Sequence, residues 1–169
     1  KVRDDLEDIL KMTLESLEPY LISSRISNYT TLDLTNEMLF VFLCIHGNRH
    51  RLEKMDYLCS ISHLMVVAAG IDWAVVMSLG RKYKALDRIL VSLVVCNKLF
   101  GSTIPGKIVS LVTNNPSIKR LADKVVAQET NDCKEEVLKN PLQKTIRYQL
   151  TVMDSTFDSI KFIFRYIVV

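Results

Sequence analysis

Turn-forming residues are scarce in this chain, with five glycines and four prolines among 169 residues. That is too few for the many tight hairpins of a β-sandwich or barrel. No apolar run reaches the roughly 20 residues that a membrane-spanning helix needs. The closest, Leu64–Leu79, is broken by Gly70 and Asp72. No signal peptide opens the sequence, which begins with charged KVRDDLED and without methionine; it therefore reads as cytoplasmic, and as a fragment or a processed chain. Cys44, Cys59, Cys96 and Cys133 make no C-x-x-C pair, and the first three sit inside apolar runs. They read as small core residues in a reducing compartment, not as a disulfide frame. A charge of one sign is missing too: 22 basic against 19 acidic side chains leave a net +3, short of the pronounced basic face of a dedicated nucleic-acid binder.

Catalytic signatures are equally sparse. The chain has no G-x-x-x-x-G-K-[ST], no G-x-G-x-x-G and no H-E-x-x-H, nor a G-x-S-x-G elbow. Gly101-Ser102 is not followed by two acids spaced by one residue, and reads as a helix stop and turn. Asp4, Asp5 and Asp132 are isolated surface acids.

What is present is apolar and helical. Forty-nine per cent of the residues are hydrophobic, too many for disorder and enough for one domain with a substantial core. Leu6, Ile9, Leu10, Leu14, Leu17 and Leu21 predict an amphipathic helix over Asp4–Leu21, with Pro19 able to end it a turn early. The β-branched stretch Ile22–Leu34 predicts an extended segment or hairpin. Thr35 suits an N-cap, with Glu37 in the first turn. Leu52–Met65 continues at helical spacing, stopped by Gly70 through a glycine cap. Asp72 caps a helix with Trp73, Val76, Leu79 and Tyr83 inward and Arg81, Lys82 and Lys84 at its carboxyl end. Leu86–Leu99 makes another, ended by Gly101. Lys107–Val112 is short; Asn115-Pro116 then opens a helix to about Gln128. Glu129–Pro141 reads as loop, and Leu142–Val169 as one or two closing helices. The fold class is therefore all-α, a single multi-helix bundle over residues 1–169 with at most a short hairpin near 22–34. Leu39, Phe42, Leu43, Leu58, Ile61, Trp73, Leu90 and Leu93 are expected in its core.

The most informative stretch is Met38–Met65. Eight apolar residues, Met38–Ile45, give way abruptly to His46-Gly47-Asn48-Arg49-His50-Arg51. A helix apolar all round is a buried one. Helical periodicity places Leu39, Phe42, Leu43, His46, Arg49, His50 and Glu53 on one side, expected to face the core. Gly47 and Asn48 decide whether the helix bends there or stops. The plainer reading makes His46 a core histidine bonded to a carbonyl, and Arg49, Arg51 and Lys54 a solvated face. His46 and His50 have the i, i+4 spacing of a metal pair, but no acid lies between them and no third ligand is evident, so no metal is expected.

The run FLCIHGNRHRLEKMDYLCSISHLM, then IDW, then a long apolar helix ending LFGSTIP, resembles the C-terminal helical region of the uncharacterised nucleotidyltransferase family, found among bacterial biosynthetic clusters. His46, Gly47, Arg49, His50, Lys54, Leu58, Ile61, Asp72, Trp73, Gly101 and Pro105 fall into step with its pattern over roughly Leu34–Pro105. The chain departs from it at Ser60, where the family has an acid. The catalytic part, with Gly-Ser and Asp-x-Asp signatures, is not in this sequence. The resemblance implies a helical accessory domain on the substrate side, in which His46, Arg49, His50 and Lys54 meet a nucleotide or acceptor phosphate. Mg²⁺ is expected only with the missing catalytic domain, which would be the partner. A competing class is a non-catalytic interaction module that binds a protein at its apolar ends, Val2–Leu21 and Phe157–Val169. A third, an RNA-contacting bundle, has only GRKYK at 80–84 behind it.

Overall fold

A computed structural model describes residues 14–67, 70–130, 148–149 and 151–152. In chain order these form α1 (Leu14–Leu17), a 3-10 turn (Glu18–Tyr20), β1 (Leu21–Ile26), β2 (Tyr29–Leu34), α2 (Asn36–Arg49), α3 (Met55–Val67), α4 (Trp73–Lys82), α5 (Leu86–Phe100), α6 (Gly106–Thr113) and α7 (Pro116–Thr130). The fold is thus mainly helical, with one two-stranded antiparallel hairpin. The Asp4–Leu21 helix ends early, at Leu17, with Pro19 in the turn that follows. Its first ten residues, Cys133, Asp132 and the apolar end Phe157–Val169 lie outside the described residues.

The hairpin pairs Leu21 with Leu34 through to Ile26 with Tyr29. Ser27, at φ 55°, makes the tight turn. At its base Thr35 N–H donates to Tyr20 O at 2.8 Å, and the Thr35 hydroxyl then caps α2 by accepting from Met38 N–H at 3.4 Å. Asp72 caps α4, accepting from Ala74 N–H at 2.8 Å. Glu37 in turn accepts from Asp72 N–H at 3.1 Å, fastening the start of α2 to the start of α4.

α2 and α4 end in the same way. Leu52 N–H reaches back to Gly47 O at 2.8 Å while Arg51 N–H meets Asn48 O at 3.0 Å. Ala85 N–H likewise reaches Gly80 O at 2.7 Å while Lys84 N–H meets Arg81 O at 3.2 Å. Both are Schellman closures, which need a left-handed residue after the cap. Here that residue is Arg51 (φ 58°), with left-handed Leu52 (φ 56°) after it, or Lys84 (φ 51°), not glycine. The helix therefore runs straight through Gly47 and Asn48 and stops beyond them. Gly47 serves close approach instead: a Cβ there would lie 2.8 Å from Leu52 Cδ2, where Leu52 folds back over the helix end. Gly101 (φ 70°) does cap α5 as its position predicts.

The helix buried all round is α5, in which every residue from Arg88 to Cys96 is buried. α2, α3, α4, α6 and α7 pack around it. Leu58, Ile61, Leu90 and Leu93 are in the core as expected. Leu39, Phe42, Leu43 and Trp73 are only half-buried, with Trp73 edge-on to Phe40 at 5.2 Å. The face of α2 that meets the core is Met38, Phe40, Val41, Cys44, Ile45, Gly47 and Asn48. The stripe Leu39–Phe42–His46–Arg49–Glu53 thus faces away from the deepest packing. Eight successive apolar residues carry no orientation, and the packing of α4 and α5 decided it. Cys44 and Cys96 are buried core residues, but Cys59 is exposed.

Candidate functional site: a ring cluster at the α2–α3 corner

The last turn of α2 carries His46, Arg49 and His50, and the Schellman closure turns the chain so that Lys54 and Tyr57 come back beside them. The His46 ring lies parallel to Phe42 at 5.9 Å and 7°. It meets His50 at 5.0 Å and 67° and Tyr57 at 5.1 Å and 87°. His50 stacks on Tyr57 at 5.6 Å and 20°. Lys54 Nζ stands 6.0 Å from the Tyr57 ring centre, the outer reach of a cation–π contact. Perpendicular and offset rings are the arrangements that aromatic quadrupoles favour.

The charges make this corner electropositive without charging the imidazoles. Partial burial lowers the pKa of His46, and His50, Arg49 and Lys54 lower it further. Partial burial, then Arg49 and Lys54, lowers that of His50. Glu53 opposes this at His50, but it is held by Arg51 at 2.7 Å. Near pH 7 both imidazoles are therefore neutral, each with one N–H donor and one acceptor nitrogen. The structure brings His46, Arg49 and His50 together, as their spacing suggests, and the corner adds Lys54, which the resemblance had grouped with them. It adds Tyr57, which helical periodicity could not connect to them because the corner intervenes. Ser60, standing where an acid was expected, donates to Asp56 O within its own helix. Among the described residues no three metal-ligating side chains gather, and no helix is long and apolar enough to cross a membrane. Gly101-Ser102 marks the helix stop, as expected, and buried Ser102 shares a 2.7 Å hydrogen bond with Ser62.

Directly behind the ring cluster lies a buried polar network that the sequence does not signal. Asn48 is wholly inaccessible to solvent. The two protons of its Nδ2 are shared among three acceptors, Cys44 O (2.8 Å), Ser92 Oγ (2.8 Å) and Arg88 O (3.1 Å). Its Oδ1 accepts from the Tyr148 hydroxyl at 2.8 Å. Gln149 Nε2 donates to the carbonyls of Asn48 (2.9 Å) and Arg49 (3.2 Å). Burial pushes the Tyr148 phenol far above its ordinary pKa, so it remains a donor. Among the described residues no buried side-chain polar atom lacks a partner.

No protein family, no curated protein and no solved structure matches this chain.

Proposed function

We propose that this chain is the helical, substrate-side domain of a nucleotidyltransferase-like protein, and that the α2–α3 corner receives the phosphate of a nucleotide or its acceptor. The observation that carries this reading is the convergence of two neutral imidazoles and Tyr57 with the cations of Arg49 and Lys54. Arg49 can grip a phosphate through two parallel donors, and lysine acts as a point charge. Imidazole N–H groups add donors, while the rings offer a stacking surface. The resemblance over Leu34–Pro105 supports the same assignment. The corner does not suit Mg²⁺, a hard cation that takes oxygen ligands, so the acids that hold the metal would belong to a catalytic partner domain.

Titration with inorganic pyrophosphate and with nucleoside triphosphates, followed by calorimetry and by the His46 and His50 resonances, tests this. Arg49→Ala should weaken binding by about 1–3 kcal/mol, the loss of a charged hydrogen bond, with the fold intact. A sharp fall in melting temperature in Arg49→Ala and His50→Ala, with binding unchanged, would make the cluster structural.

A second reading, a protein-interaction module, draws on exposed Tyr29 (77%) and Leu32 (69%) on the hairpin and Val66 (69%) at the end of α3. Pull-down by a Leu32→Ser, Tyr29→Ser variant compared with the parent would separate the two.

A further inference from the structure

We infer that Tyr148 and Gln149 are positioning residues of the ring cluster, acting through Asn48 to hold the last turn of α2 in the geometry that a ligand would meet. The inference rests on the reading of His46, Arg49, His50 and Lys54 as a binding site. Three observations carry it. First, the contact spans 100 residues of sequence, so it is a tertiary latch and not local capping. Second, it grips the turn at both levels. Tyr148 orients the Asn48 side chain, while Gln149 supplies donors to the backbone carbonyls of Asn48 and Arg49. The last carbonyls of a helix have no donors within the helix; Asn48 O already receives Arg51 N–H from the closing turn, and Gln149 adds a second donor there and one to Arg49 O. Third, His46, Arg49 and His50 flank Asn48 on this single turn, with Asn48 inward and the imidazoles outward. Any rotation or fraying of that turn moves all three against Tyr57, which sits on α3.

The consequence is legible at the imidazoles even without a ligand. Their surroundings are Phe42 and Arg49 from α2, Tyr57 from α3, and Glu53 and Lys54 from the connecting corner. Burial is the largest cause of the lowered pKa at both. Loosening the turn should admit water and let both values rise toward that of a solvated histidine.

The experiment is a pH titration of the His46 and His50 ring resonances in the full chain, for Tyr148→Phe, Gln149→Leu and the parent. Val125→Ala serves as control, since it opens the α7 core far along the chain from the cluster and lowers stability by packing alone. The expected result is an upward pKa shift at both histidines in the two latch variants and none in the control. A pyrophosphate titration run alongside should show an affinity loss of roughly threefold to tenfold in the latch variants, a change of up to about 1.4 kcal/mol. Unchanged imidazole titrations in folded Tyr148→Phe and Gln149→Leu would overturn the inference, as would an equal shift in Val125→Ala. If the parent protein fails to bind pyrophosphate, the phosphate reading falls, and the imidazole shifts still decide whether the latch positions the cluster.

Discussion

Replacing Asn48 with alanine removes a side chain that serves four partners, and the cost can be worked out partner by partner. Cys44 O and Arg88 O are helix carbonyls, and Arg88 O also receives the Ser92 hydroxyl at 2.9 Å. Neither is abandoned when Nδ2 disappears. Ser92 loses an incoming bond but keeps its own donation, a net loss of about 1 kcal/mol. Tyr148 is different, because its hydroxyl is buried and aimed at Asn48 Oδ1. Stranding it costs about 1–3 kcal/mol in desolvation without return. The sum is about 2–4 kcal/mol, a large share of a domain's total stability. Asn48→Asp should be worse than Asn48→Ala, since a carboxylate would confront the carbonyls of Cys44 and Arg88 with no donor to offer. Removing the stranded group should recover part of the loss. In a Tyr148→Phe background, Asn48→Ala should cost about 1–2 kcal/mol less than in the parent. Urea unfolding followed by circular dichroism at 222 nm measures all four combinations. If Asn48→Ala is neutral, or if the two substitutions are simply additive, the network does not hold the C-terminal segment to α2, and the reasoning fails.

Other expectations follow from the cluster, the helix ends and the thiols. The folded state binds fewer protons than the unfolded chain between the lowered pKa values of His46 and His50 and the ordinary value of about 6.5. Stability should therefore be fully present above that pH and decline as pH falls through the window; a parent profile matching that of His46→Gln, His50→Gln would contradict this. Lys84→Gly should stabilise by about 0.5–1 kcal/mol, because a left-handed residue with a Cβ is strained there, and thermal melting reads it directly. Cys59 should react with a thiol reagent in the native protein. Cys44, raised by burial, and Cys96, pushed up to about 12, should react only on unfolding; three equally fast thiols would refute the packing around α5.

Periodicity and capping chemistry by themselves determine much of this protein. Thr35, Asp72, Asn115 and Gly101 mark helix ends because each acts on backbone groups within one turn, and local effects are visible in local sequence. The inner faces of α4 and α7 are likewise legible, since Val76 and Leu79, or Ile118, Leu121 and Val125, recur at helical spacing and are buried. The spacing of His46, Arg49 and His50 was enough to gather them on one turn, whereas Lys54 joined them through the corner. Only the tertiary structure decided which way α2 turns, because a helix with apolar residues on every side has no preferred face until neighbours pack against it. It also decided that Arg51 and Lys84, not glycines, take the left-handed positions, a strain that the closing hydrogen bonds and the packing of Leu52 and Ala85 offset. Tyr57 joined the ring cluster through the turn between two helices. Asn48 gained its meaning from Tyr148 and Gln149, about a hundred residues away. An asparagine at the end of a helix looks in sequence like a solvated cap; buried, both its amide nitrogen and its amide oxygen must find partners, and only the assembled chain supplies them.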